Sequence, residues 1–184
     1  MAISGDLHED HDVAARQLRQ WVAAGITDIV DLRQEWSDAA LVAELEPSIR
    51  YHYLGTHDNG SAQTDAWFNA GIAALDTAMA SPNAKLMVHC HMGINRGPSM
   101  AYAFLLERGW GVVEALDLLR NARPIAAMAY ARDALRARCR RHGISLVDEH
   151  ELQMLQQQWF DDHAIDVRRV IRLIRESGSA PPTY

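Results

Sequence analysis

An α/β fold, with a central and mostly parallel sheet flanked by helices and further helices at the C-terminal end, is the class this sequence predicts. Three observations predict it. Short apolar runs rich in Ile, Val and Leu alternate with helical patterns over the first half of the chain. One of these runs, residues 86–89, leads straight into a glycine-containing loop and then a helix, which is the strand–loop–helix unit of parallel sheets. From there the pattern is almost wholly helical. At 184 residues, 48% of them hydrophobic, the chain suits one domain with a sizeable core.

In chain order, residues 12–23 read as a helix ended by Gly25. Residues 28–32 and 51–54 read as strands, and residues 62–79 as an Ala-rich helix stopped at Ser81-Pro82. Leu86–His89 is a short continuous apolar strand of the kind buried on both faces. Helices follow over 98–107, 112–122 and 127–141, punctuated by Gly109 and Pro124. The main unit is expected to span 1–147. A helical extension, 148–176, is expected to pack on it or to serve association, including a homodimer, because Leu152, Leu155 and Trp159, then Val167, Val170, Ile171 and Ile174, recur at helical spacing about a break at Asp161-Asp162. The tail 177–184, rich in small residues and proline, is expected to be disordered.

Net charge is −6, which excludes the broad basic field of a general nucleic-acid binder. No apolar run approaches a membrane-spanning length and the N-terminus has no charged-then-apolar signal pattern, so a soluble cytoplasmic protein is expected. The two cysteines, Cys90 and Cys139, make no disulfide framework and fit a reducing compartment. Arg132, Arg136, Arg138, Arg140 and Arg141 cluster on one segment, as a solvated helix face or a docking surface for acidic partners.

The chemistry is concentrated in residues 89–99, His-Cys-His-Met-Gly-Ile-Asn-Arg-Gly-Pro-Ser. A chain that curls from Cys90 to Arg96 and then enters a helix turns successive N–H groups toward one point, where the helix dipole adds positive charge, so an anion such as phosphate fits there. The same field favours the thiolate of Cys90, a nucleophile able to attack phosphorus. The planar fork of Arg96 can grip two phosphate oxygens as charge moves. Gly93 permits the tight curl, and Pro98 suits a first helical turn with Asn95 or Gly97 at the cap. His89 is expected to hydrogen-bond beside the loop and help hold Cys90. His91, Met92, Gly93, Ile94 and Asn95 line the cradle. No Cys or His cluster with ligand spacing accompanies His89 and His91, so no metal and no organic cofactor is expected.

The pattern His89-Cys90-five residues-Arg96 resembles the signature of cysteine-dependent protein tyrosine phosphatases, particularly the compact dual-specificity group. Residues 26–33 and 51–55 are similar to the two strands that precede the catalytic loop there, and the similarity runs from about residue 3 to about residue 143. The resemblance implies a phosphatase-like fold, a phosphoprotein substrate and a phosphocysteine intermediate. It also implies an upstream aspartic acid that protonates the leaving group: Asp58 fits, with Asp65 as rival, although Asp65 after Thr64 reads as a helix cap or first-turn residue. Gly97 departs from the family, which has Ser or Thr after the arginine to help the cysteine leave as thiolate. Slower breakdown of the phosphoenzyme follows, unless Ser99 or a water substitutes. The cradle has no lysine, unlike relatives specialised for highly phosphorylated inositol lipids. Two other readings stand beside phosphoprotein hydrolysis: an RNA 5′-triphosphatase, from the Gly-Ile-Asn-Arg stretch, and a phosphate-binding module with weak turnover. A rhodanese-type sulfur transferase also uses a cysteine loop, but has no need of Asp58.

Overall fold

The structure, a computed structural model, describes residues 1–177. Four strands form one sheet: β1 (Ala2–Ser4), β2 (Asp28–Arg33), β3 (Arg50–Thr56) and β4 (Leu86–His89). Their order across the sheet is β1-β4-β2-β3 and every neighbouring pair is parallel. Eight helices are described: α1 (His11–Ala23), α2 (Ala39–Leu45), α3 (Asp65–Met79), α4 (Arg96–Glu107), α5 (Val112–Ala122), α6 (Ala131–Arg141), α7 (Leu146–Asp162) and α8 (Val167–Ser177).

The strand periodicity of two divides the core. Ile29 of β2 and Met87 of β4 point to one face, where Ala14, Leu18 and Trp21 of α1 and Val42 of α2 cover them. Val30, Leu32, Leu86 and Val88 point to the other, against Phe68, Ile72 and Leu75 of α3 and Met100, Ala101 and Phe104 of α4. β2 and β4 are buried at every position, so they read as continuous apolar runs interrupted by the buried Asp28, Asp31, Arg33 and His89. Asp10 caps α1 by accepting from the Val13 N–H, and Thr64 caps α3 by accepting from the Trp67 N–H.

Two elements escape the sequence reading. β1 is three residues long and α2 spans Ala39–Leu45, both too short for periodicity to register. Helix α6 begins at Ala131 where the pattern suggested 127, because residues 127–130 form a loop bonded to the cysteine loop. Helix α4 starts at Arg96, so Pro98 is its third residue; it remains in the first turn, whose N–H groups have no intrahelical acceptor. Helix α7 packs on α5 and α6 through Trp159, whose Nε1 donates to Asp117, and Gln156, which donates to the Tyr102 hydroxyl and the Ala131 carbonyl. The expected tail falls almost wholly on residues 178–184, outside the described ones, and Ser177 closes α8. Among the described residues no helix is long and apolar enough to cross a membrane.

Phe68 of α3 is fully buried in the core it shares with α4 and the sheet. Phe68→Ala is expected to cost about 3–5 kcal/mol of unfolding free energy, read as a lowered urea midpoint with an unchanged denaturant slope.

Candidate active site

The β4–α4 connection runs at the carboxyl end of the sheet, where open α/β sheets bind ligands. All five carbonyls from His91 to Asn95 are tied to the surrounding scaffold. His91 accepts from the Asp6 N–H at 3.1 Å, Met92 and Gly93 from the Arg123 guanidinium at 3.1 and 2.5 Å, Ile94 from the Ala127 N–H at 2.7 Å, and Asn95 from the Ser99 N–H at 2.9 Å. The N–H groups of residues 91–95 donate to nothing among the described residues. A loop with its acceptors all occupied and its donors all spare, at a helix N-terminus, is an anion site. Gly93 makes the curl: its φ is +62°, and a Cβ there would lie 2.5 Å from the Ser4 backbone and 2.6 Å from the Arg123 guanidinium.

A cavity of about 330 Å³ opens above the loop, lined by Cys90, His91, Met92, Ile94, Asn95 and Arg96 together with Glu35 and Asp58. Cys90 is 2% exposed. Arg96 is equally buried, and both terminal nitrogens of its guanidinium donate to Glu35, at 2.8 and 2.9 Å, while Nη1 also reaches the Thr56 carbonyl at 2.9 Å. That end-on fork leaves Nε as a buried donor with no hydrogen bond, 3.4 Å from an oxygen of Asp58. Burial works against the charge on Arg96, but the Glu35 hydrogen bonds, together with the electrostatic attraction of Cys90, Asp58 and Glu35, raise its pKa. Burial likewise opposes ionisation of Glu35, and Arg96 holds its carboxyl below the usual range.

Asp58 sits on the loop after β3. Its Oδ1 accepts from the Asn95 side chain and from the Tyr130 hydroxyl, each at 2.7 Å. Asn95 is the N-cap residue of α4 but does not cap it with its side chain; its Oδ1 accepts from the Ala129 N–H at 2.7 Å instead. One residue thus ties the cysteine loop to Asp58 and to the 127–130 loop. Asp65 lies in the first turn of α3, paired with Arg140, and lines none of this cavity.

Several expected residues play other parts. His89 does not hydrogen-bond the loop: its Nδ1 is buried without a partner, its Nε2 is 3.7 Å from Asp31, and its ring packs on Trp21. The strand alternation that points Val88 one way turns His89 toward α1, and that is the physical reason. His91 pairs with Asp6 at 2.8 Å, which raises its pKa despite partial burial. Gly93 supports the loop from behind and is not in the cavity lining. Ser99 is enclosed against Asn95 and the Tyr130 N–H rather than against Cys90. Cys139 is buried in the core on α6, where burial pushes its thiol pKa up.

Glu35, Arg123, Tyr130 and Arg175 escape sequence reasoning; Val167 and Ile171, which reach the cavity from α8 with Arg175, belong to the expected apolar stripe but not to the expected site. Arg123-Pro124 looks locally like an ordinary helix end, and Glu35 lies in a loop without periodicity. Beneath the loop, Arg33 is wholly buried and bonded to both oxygens of Asp31 at 2.9 and 2.8 Å and to Asp38 at 2.6 Å, with the Tyr51 hydroxyl donating to Asp31 at 2.5 Å. No group of three or more His, Cys, Asp or Glu side chains placed to hold a metal occurs among the described residues.

A parallel sheet that delivers a Cys-(five residues)-Arg loop onto a helix N-terminus defines the cysteine-dependent protein tyrosine phosphatase superfamily. The family model described as dual specificity phosphatase, catalytic domain, matches residues 12–158, and the chain belongs to that family. Among curated relatives it is 28% identical over 104 residues to dual specificity protein phosphatase 2 of Homo sapiens, covering 56% of this chain and 31% of that one. It is 27% identical over 119 residues to dual specificity protein phosphatase 26 of Rattus norvegicus, covering 63% and 55%. The chain therefore matches between about a third and just over half of these relatives' lengths. In fold it is similar to human DUSP28, with a TM-score of 0.62 at 18% identity over 78% of this chain and 94% of that one. PTPMT1 gives 0.60 at 16%, over 85% and 93%.

Burial pushes the pKa of His89 down to about 4, against the attraction of Asp31. The unfolded imidazole takes up its proton near 6.5, so protonation favours the unfolded chain and stability falls as pH drops from about 6.5 toward 4. Between pH 7 and 4.5 the wild type is expected to lose roughly 2–3 kcal/mol more than His89→Gln, measured by urea unfolding at both pH values; parallel losses would contradict an enclosed neutral His89.

Proposed function

We propose that this chain is a protein phosphatase hydrolysing phosphotyrosine monoesters, with phosphoserine and phosphothreonine as further substrates, through a phosphocysteine intermediate. The observation that carries this reading is the meeting of Cys90, Arg96 and Asp58 in one cavity above a loop whose N–H groups are spare. The phosphoryl oxygens take the place of missing acceptors on those N–H groups and on Nε of Arg96. The Cys90 sulfur attacks phosphorus, the bond from phosphorus to the ester oxygen breaks, and Asp58 gives its proton to that oxygen. In the second step a water attacks phosphorus while its proton passes to the Asp58 carboxylate, the S–P bond breaks, and phosphate leaves. Asn95 and Tyr130 aim Asp58, holding one oxygen and leaving the other beside Arg96.

The test is burst kinetics with p-nitrophenyl phosphate and a phosphotyrosine peptide. The wild type is expected to give a burst equal to the enzyme concentration and Cys90→Ser none. Asp58→Asn is expected to lower kcat on the peptide by about 10²-fold, and less on p-nitrophenyl phosphate, whose nitrophenolate leaves without a proton. Turnover by Cys90→Ser would sink the reading. Phosphopeptide binding without turnover in the wild type would favour the binding module.

Gly97 offers a separate test. A Cβ placed there meets the Ile3 methyl and the Val88 carbonyl at 3.6 Å and the Cys90 sulfur at 3.8 Å, all ordinary contacts. Gly97→Ser therefore fits and puts a hydroxyl beside the departing sulfur. Steady-state turnover is expected to rise about tenfold, the worth of one hydrogen bond to a charged group, with the burst amplitude retained; an unchanged rate would mean that thiolate departure is not limiting.

A further inference from the structure

A second cavity of about 480 Å³ adjoins the first. Ala127 and Ala129 line both, so the two cavities meet across the 127–129 loop. This ridge is fixed to the cysteine loop by the Ala127 N–H on the Ile94 carbonyl and the Ala129 N–H on Asn95, and Met128 is held at a φ of +53°, a strained value for a residue with a side chain. The two residues that line both spaces, Ala127 and Ala129, carry only methyl side chains. The far cavity is walled by Arg132 of α6 and by His150, Gln153, Met154, Gln157 and Phe160 of α7.

Its ionisable lining is basic: Arg132 and His150 face it, and among the described residues no carboxylate does. The other arginines of the cluster on α6 are engaged elsewhere. Arg136 pairs with Glu149, Arg138 donates to the Leu106 carbonyl, Arg140 pairs with Asp65 and Arg141 with Glu107. Arg132 is exposed and forms no ion pair among the described residues; it donates only to the neutral Gln153 side chain, at 3.2 Å. In a chain of net charge −6, a cation without a counter-ion beside the catalytic cavity is positioned for an anion that comes with the substrate.

We propose that this second cavity is the recognition subsite for a residue flanking the phosphorylated one, and that it takes a carboxylate side chain on Arg132, making the preferred substrate an acidic phosphopeptide that crosses the Ala127–Ala129 ridge. The proposal rests on the phosphatase reading above and deepens it. The phosphoryl group occupies the cysteine loop, and the neighbouring peptide residue delivers Glu or Asp to Arg132, with Met154 and Phe160 against its aliphatic part.

The experiment compares three phosphotyrosine peptides, with glutamates on the N-terminal side, glutamates on the C-terminal side, or alanines throughout, as kcat/KM for wild type, Arg132→Glu and His150→Glu, each read against that protein's own p-nitrophenyl phosphate rate. A wild-type preference of about tenfold for one glutamate peptide over the alanine peptide is expected, from one interaction of about 1.4 kcal/mol, and it is expected to vanish in Arg132→Glu and to shrink in His150→Glu. Absence of a preference in the wild type, or a preference that survives Arg132→Glu, overturns the proposal. Anisotropy of the same peptides, fluorescently labelled, on Cys90→Ser reads the subsite without turnover, so a failed phosphatase reading shows as missing hydrolysis while the subsite is still judged by binding. A 5′-triphosphate RNA oligonucleotide is the last arm: Arg132-dependent binding tighter than any peptide would assign the cavity to nucleic acid and overturn the peptide subsite.

Discussion

The guanidinium of Arg123 is the contact on which the site depends. Buried behind the cysteine loop, it takes the carbonyls of Met92 and Gly93. With Asp6, Ala127 and Ser99 taking the carbonyls on either side, each peptide unit of the loop is oriented with its oxygen toward the scaffold. Because a trans peptide points its N–H opposite to its carbonyl, fixing the oxygens fixes the donors. The anion site is thus built by satisfying acceptors from outside, and no positive side chain other than Arg96 has to enter the loop.

Around that frame, carboxylates regulate one cation. Glu35 grips the end of the Arg96 guanidinium and Asp58 stands beside Nε, so the arginine is oriented by the protein itself. This is preorganisation: the ordering of a long side chain is complete beforehand, and only the loop donors and Nε remain for the ligand. Asp58 is itself positioned by Asn95 and Tyr130, whose bonds join the loop after β3, the cysteine loop and the start of α6. The buried Asp31–Arg33–Asp38 network below continues the same logic at the carboxyl end of β2, where removing one partner would strand a buried charge.

The helices after the cysteine loop do more than fill the second face of the sheet. α6 and α7 wall the second cavity, α7 is locked to α4, α5 and α6 by Gln156 and Trp159, and α8 brings Val167, Ile171 and Arg175 to the rim of the first. The mouth of the cavity above the cysteine loop is therefore made in part by segments far from Cys90 in sequence.

What the sequence determined by itself is what local physics encodes. Leu86–His89 running into Cys90, Gly93 and Arg96 specified a buried strand, an anion loop and a helix, because apolar period, glycine freedom and the helix dipole all act within a dozen residues. The strands around residues 28–32 and 51–54 and most helices were legible for the same reason, and Asp58 was reached through resemblance. Tertiary structure alone decided the rest. β1 has three residues and forms only because β4 offers it an edge; His89 turns away from the loop because strand alternation meets α1 there. Glu35, Arg123 and Tyr130 act on residues 30 to 72 positions away. A hydrogen bond across such a separation leaves no periodicity in the sequence, and only the packing of the sheet against its helices brings its two ends together.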